Sequence, residues 1–131
     1  MKPVLFVLCD AATESAGKLN ILGIFDTFLA KEVPFIHPMF CIAVRIAATV
    51  EDIGEHKIEL IIRDETKTDI IHPLESSFRV TENQYRQTGT GNLIASLRDM
   101  KFEKFGTYTL SILLDGKELD SLPFHVIKLE P

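Results

Sequence analysis

The chain has no tryptophan, two tyrosines and two cysteines, and each scarcity closes a class of function. Platforms that stack sugars or single-stranded nucleic acid expose Trp or Tyr, and Tyr85 and Tyr108 are the only candidates. Two cysteines, Cys9 and Cys41, are too few for a disulfide framework. They form no C-x-x-C pair, so zinc-ribbon and dithiol chemistry lack their basic unit. Both read as buried free thiols. Basic residues are outnumbered 14 to 19, for a net charge of −5. They are also scattered, and the densest run, Lys101 to Lys104, has Glu103 inside it. That balance argues against nucleic acid and against an anionic membrane surface, which both need clustered Lys and Arg. No stretch approaches the roughly 20 apolar residues of a membrane span. The apolar run Val4–Leu8 is shorter than the about 7–15 residues of a signal peptide. Leu8 also stands where a lipoprotein signal needs a small residue before its cysteine. The cytoplasm is the expected compartment.

Catalytic signatures are equally thin. His37, His56, His72 and His125 form no H-x-H, no H-E-x-x-H and no mixed Cys/His cluster. There is no G-x-S-x-G nucleophile elbow. The acid pairs Glu51-Asp52 and Asp64-Glu65 fall in expected turns, without the D-x-D-x-D spacing of a calcium loop. Glu118 and Asp120 fall on an expected hairpin, where acids are solvated rather than held as a dyad with one raised pKa. "GTGN" at Gly89–Asn92 lacks the following Lys and the strand-to-helix context of a phosphate loop, so it reads as a flexible turn. The expectation is a protein that is not an enzyme and needs no cofactor or metal.

What is present is period-two alternation. Phe40, Ile42, Val44, Ile46 and Ala48 alternate with Cys41, Ala43, Arg45, Ala47 and Thr49. Ile58, Leu60 and Ile62 do the same, as do Tyr108, Leu110, Ile112 and Leu114. Such rows are half-buried strands. Turn residues part the rows, giving about eight strands: 3–9, 18–30, 39–50, 56–64, 69–79, 91–102, 107–115 and 117–129. Residues 81–90 read as a loop. Ala11 to Gly17 could make one helical turn capped by Asp10. The 131 residues fit one domain, 1–131. A chain of that size buries roughly two thirds of its unfolded surface and needs no staple. The pattern predicts an all-β, antiparallel two-sheet β-sandwich, immunoglobulin-like or jelly-roll-like.

Two local readings are sharper. Asp115-Gly116 suits the positive φ of a two-residue hairpin turn, pairing Leu114 with Lys117 and Ile112 with Leu119. Pro123 belongs at an edge or bulge, because it has no N–H to give. Tyr108 falls in the core row of its strand, with its hydroxyl expected on a nearby backbone group.

"LCDAATESAGKLNILGIFD" and "FGTYTLSILLDGKELDSLPFHVI" resemble a family of short, uncharacterised bacterial β-sandwich proteins, a domain of unknown function. The resemblance spans most of the chain. It implies the sandwich and carries no activity, cofactor or site residue with it.

The first of those stretches is apolar on both flanks of its loop. If Val4–Cys9 and Lys18–Phe25 pair with residue numbers summing to 28, Asp10 faces Lys18 and Lys2 faces Asp26. One side then carries Leu5, Val7 and Cys9 against Leu19, Ile21 and Phe25, and becomes core. The other carries Val4, Phe6, Leu8, Leu22 and Ile24, rimmed by Lys2, Asp10, Lys18 and Asp26. A contiguous apolar patch marks a contact surface, covered either by residues 28–38 or by another molecule. The expected role is a non-catalytic binding or assembly module, self-associating or docking on a protein partner through this face. The alternative is a small-ligand or carbohydrate-binding module built from end loops, with a pocket lined by Tyr85, His56 or Arg63; a third reading, an enzyme of unrecognised type, would need a buried, perturbed acid or a His cluster.

Overall fold

In a computed structural model, residues 1–82 and 88–130 are described, the side chain of Thr88 excepted. Among them the fold is all-β, with nine strands and one short 3-10 turn at Val50–Asp52. The strands are β1 Lys2–Ser15, β2 Lys18–Phe25, β3 Thr27–Ala30, β4 Phe35–Thr49, β5 Gly54–Arg63, β6 Leu74–Val80, β7 Thr88–Phe102, β8 Gly106–Leu114 and β9 Lys117–Lys128. They form two sheets, in the orders β2-β1-β4-β7 and β3-β9-β8-β5-β6.

Most alternating rows are strands, and several boundaries move. The expected strand 18–30 is two strands in two sheets, parted at Asp26. The carbonyl of Asp26 accepts the N–H of His125, and β3 then runs alongside β9 in parallel. The sheets are therefore not wholly antiparallel, a feature that alternation along one segment does not encode. No helical turn forms at Ala11 to Gly17, because β1 continues to Ser15. "GTGN" lies inside β7 rather than in a turn. The expected strand 69–79 shortens to β6, preceded by an isolated bridge between Arg63 and Asp69.

By contact density the chain divides into two compact units. The first comprises Met1–Phe25, Met39–His56 and Ser77–Leu97. Its core holds Leu8, Cys9, Phe40, Ile42 and Val44, with Phe25 edge-on to Phe40 at 6.3 Å. Cys41 and Ala43, on the opposite parity of β4, are buried too, in a cluster with Cys9 that Val7, Ala12, Ile21 and Ile94 cover. This part of β4 is thus apolar and buried on both sides, where alternation alone implies one buried side.

The second unit comprises Asp26–Pro38, Lys57–Ser76 and Arg98–Pro131. Its centre is aromatic. Phe28, Phe102, Tyr108 and Phe124 are all buried, and their ring centroids lie 4.9–6.0 Å apart in the closest pairs. Aliphatic rows from β5 and β8 complete it, with Ile58 opposite Leu114, Leu60 opposite Ile112 and Ile62 opposite Leu110.

Candidate interaction surface

The N-terminal hairpin turns on Ala16 and Gly17, whose φ angles are 53° and 75°. Two consecutive positive φ values are the two-residue hairpin geometry that matches strand twist. Ser15 therefore pairs with Lys18, and the whole ladder is fixed with numbers summing to 33: Leu8 with Phe25, Cys9 with Ile24, Ala11 with Leu22, Ala12 with Ile21. The expected sum of 28 is wrong by five. An odd shift exchanges the two sides of a strand. Asp10 does not face Lys18, and Lys2 pairs with Ala47 of β4 rather than with Asp26.

That correction breaks up the expected five-residue patch. Leu8 is buried, at 1% exposure, and Phe6 is half-buried opposite Val44 of β4. Val4 is exposed at a register shift between Pro3 and Leu5, where the β1–β4 ladder is irregular. Leu22 and Ile24 pair with odd-numbered residues of β1, whereas Val4, Phe6 and Leu8 are even-numbered. The ladder between those pairs is interrupted at Asp10 and at Gly23, whose φ is 71°. Lys2, Asp10, Lys18 and Asp26 are all exposed.

What remains is β2 itself. Among the described residues it is an edge strand, bonded to β1 on one side only. Lys18, Asn20, Leu22 and Ile24 are exposed, while Leu19, Ile21 and Phe25 are half-buried. Leu22 and Ile24 stand 70% and 60% exposed. Between them Gly23 has φ 71°, and a Cβ there would run into the Asp10 carboxylate. The glycine is thus required twice, by its backbone and by its neighbour.

The hairpin tip is tied down by residues that sequence patterning passes over. Arg45 Nη1 donates to the carbonyl of Gly17 at 3.2 Å and to Asn92 Oδ1 at 2.8 Å, and its Nη2 donates to the Thr90 hydroxyl at 2.9 Å. Asn92 Nδ2 also donates to the Gly17 carbonyl, at 3.1 Å. A planar guanidinium with several donors suits such a junction. Its only sequence signal is a charge in an otherwise apolar row.

Groups with chemical potential are held in structural roles. Cys9 and Cys41 are paired across β1 and β4, Cys9 Sγ lying 3.7 Å from the Cys41 carbonyl. Burial, the facing Cys41 and the charge of Asp10 push the Cys9 thiol up, away from thiolate chemistry. His56 Nε2 sits 2.6 Å from the Asp52 carbonyl and its ring stacks on Phe78. His125 Nδ1 meets the Thr107 hydroxyl at 3.1 Å. His37 packs edge-on to Phe28, and His72 lies exposed in a loop. Arg63 donates to Asp69 at 2.7 Å. Tyr85 lies outside the described residues.

Asp64 Oδ1 accepts from the Thr66 hydroxyl and from the N–H groups of Thr66 and Thr68, and these bonds hold its carboxyl below the usual range. Glu65 Oε1 accepts the N–H of Thr107 at 2.8 Å. Asp64 thus closes the turn that follows β5, and Glu65 ties that turn to the start of β8. A pocket of about 70 Å³ is walled there by Asp64, Thr66, Lys104, Gly106 and Tyr108. It has room for a few waters and is far below the roughly 300–1,000 Å³ of small-molecule sites. Neither His56 nor Arg63 lines it. Tyr108 meets its expectation: its hydroxyl donates to the Lys104 carbonyl at 2.6 Å. Among the described residues no helix is long and apolar enough to cross a membrane.

No curated protein matches the chain. Among solved structures it is similar to the Pseudomonas fluorescens alkylpurine DNA glycosylase AlkC, bound to DNA containing an abasic site analogue. The TM-score is 0.51 at 10% identity, over 95% of this chain and 30% of that one. The chain thus spans under a third of that enzyme's length, and the likeness is one of fold alone. A family model matches residues 4–127, nearly the whole chain. The chain therefore belongs to DUF6941, a family of unknown function.

Proposed function

We propose that this chain is a non-catalytic β-sandwich module, immunoglobulin-like or jelly-roll-like, that binds protein through the outer edge of its N-terminal hairpin and self-associates there. It works in the cytoplasm, where the facing thiols of Cys9 and Cys41 stay reduced. The observation that carries this reading is β2: among the described residues an edge strand, with Leu22 and Ile24 exposed and Leu19, Ile21 and Phe25 half-buried. Soluble proteins blunt such edges with charge, proline or cover, because unpaired N–H and C=O groups beside apolar side chains invite another strand. Here the charges, Lys18 and Asp26, lie only at the ends of the segment. The surface is narrower than the sequence implies, since Leu8 is interior and Phe6 half-buried. The net charge of −5 runs against a role on DNA, and the glycosylase likeness adds nothing to it.

Light scattering over micromolar concentrations tests the reading. Wild type is expected to exceed the mass of one chain, and Leu22→Lys with Ile24→Lys is expected to return it to one chain with an unchanged circular dichroism spectrum. A wild type that stays monomeric throughout, with the double variant indistinguishable from it, defeats the assembly claim.

A further inference from the structure

Cys9 and Cys41 are nucleophilic groups for which binding at β2 has no use. We propose that they are a redox pair, which a hydroperoxide closes into an intramolecular disulfide tying β1 to β4.

Their placement within the first compact unit suits that bond. The two residues are directly opposed in the antiparallel β1–β4 ladder, so their side chains leave the sheet on the same side. Residues opposed in this way have Cα atoms about 4.5 or 5.5 Å apart, within the roughly 4.4–6.8 Å that a disulfide spans. Both thiols are free, and the residues are 0% and 1% exposed. Cys9 Sγ lies 3.7 Å from the Cys41 carbonyl, and Cys41 Sγ lies 3.5 Å from the Ser96 hydroxyl. Sulfur is a weak donor and a weak acceptor, so these contacts yield easily to an S–S bond.

The position in the ladder supplies a route for the oxidant. Cys9–Cys41 is the last rung between β1 and β4, and from Ala11 to Ser15 the ladder partners of β1 lie on β2. The cover over the two thiols is thin: partly buried Val7, Ala12, Ile21 and Ile94. Ala12 and Ile21 are partners in the hairpin, whose turn is held by the bonds of Arg45 and Asn92 to the Gly17 carbonyl. Local opening of that hairpin uncovers the rung without global unfolding. In a reducing compartment the pair stays open.

The chemistry balances with a hydroperoxide as the oxidant. One sulfur, as its thiolate, attacks a peroxide oxygen. The O–O bond breaks, a sulfenic acid forms and the other oxygen leaves as water. The second sulfur then attacks the sulfenic sulfur. The S–S bond forms, the S–O bond breaks, and the oxygen leaves as a second water with the thiol proton. Two thiols are thus oxidised by two electrons and one peroxide is reduced. Burial slows the first step by disfavouring the Cys9 thiolate. It favours the second, because the facing cysteine is the one other thiol in the chain.

Hydrogen peroxide added to the reduced, native full chain is the test, with products read by mass and peptide mapping. Wild type is expected to become lighter by two hydrogens, with the Cys9 and Cys41 peptides joined, and to recover its starting mass in dithiothreitol. Cys9→Ser and Cys41→Ser are each expected to lose that product. A wild type that keeps both thiols when native and forms the link only in urea overturns the proposal. So does oxygen added to either sulfur without the link, or a disulfide between two chains.

Discussion

The molecule contains two hairpins closed by the same kind of turn, and they meet opposite fates. β8–β9 turns on Asp115 and Gly116 with φ 51° and 85°, and β1–β2 turns on Ala16 and Gly17 with φ 53° and 75°. The C-terminal hairpin is flanked on both sides, by β5 and β3. Its inward row of Tyr108, Leu110, Ile112, Phe124 and Val126 is buried. Among the described residues the N-terminal hairpin is flanked on one side only, and two large apolar residues of β2, Leu22 and Ile24, are exposed. Turn chemistry sets register equally in both. Position in the sheet decides whether an apolar residue is interior or left for another chain.

Substitutions that strike one hairpin and spare the other sharpen the contrast. Phe124 is fully buried, with rings of Tyr108, Phe28 and Phe102 around it. Phe124→Ala is expected to lower unfolding free energy in urea by about 3–5 kcal/mol. Leu22→Ala, at concentrations where the chain is single, is expected to stay within about 0.5 kcal/mol. Equal losses at the two sites would erase the distinction. Next in size is Gly23→Ala, which meets both the positive φ and the Asp10 carboxylate, so a loss of about 2 kcal/mol is expected. Gly17→Ala has a positive φ with open space around it, and about 1 kcal/mol is expected there.

Smaller still is Ala16→Asn. Asn tolerates the left-handed region that Ala resists, so a gain of about 0.5 kcal/mol is expected in the same urea titration. The least effect is read as a slope. Bonds from Thr66 and Thr68 hold the Asp64 carboxyl below its ordinary range. A group with a lowered folded pKa contributes stability above its unfolded pKa and loses it as pH falls through the folded one. Stability against pH below about 4 is expected to flatten in Asp64→Asn. A slope identical to wild type would show that the turn after β5 does not need the charge.

The comparison also shows what a single sequence discloses. Asp115-Gly116 announces its turn because both residues tolerate positive φ. The pairing of Leu114 with Lys117 follows as expected, while the one beyond it does not. Ile112 pairs with Asp120 rather than Leu119, because the ladder shifts register between Ile112 and Leu113. Pro123 lies opposite Thr109, at a level of β9 before its pairing with β3 begins at His125, so its missing N–H costs no ladder bond there. Ala16-Gly17 announces itself poorly, since alanine carries no turn signature. Without that turn the register of β1–β2 floats, and an attractive pairing of end charges fixes it wrongly by five. The division of 18–30 at Asp26 and the parallel pairing of β3 with β9 depend on residues about a hundred positions away in the chain, beyond any local pattern. Arg45 is invisible for the same reason, with partners 28 and 47 residues distant. Yet Leu22 and Ile24 are legible as surface residues from alternation alone, and both are exposed in the structure.

Amide hydrogen exchange of the full chain, followed residue by residue at two concentrations, one well below and one well above the onset of association, tests the central claim most directly. The account expects amides of Lys18 to Phe25 to gain protection with concentration, while amides in β8 and β9 keep theirs. Protection in β2 that is unchanged by concentration, or a gain confined to another strand, would contradict it.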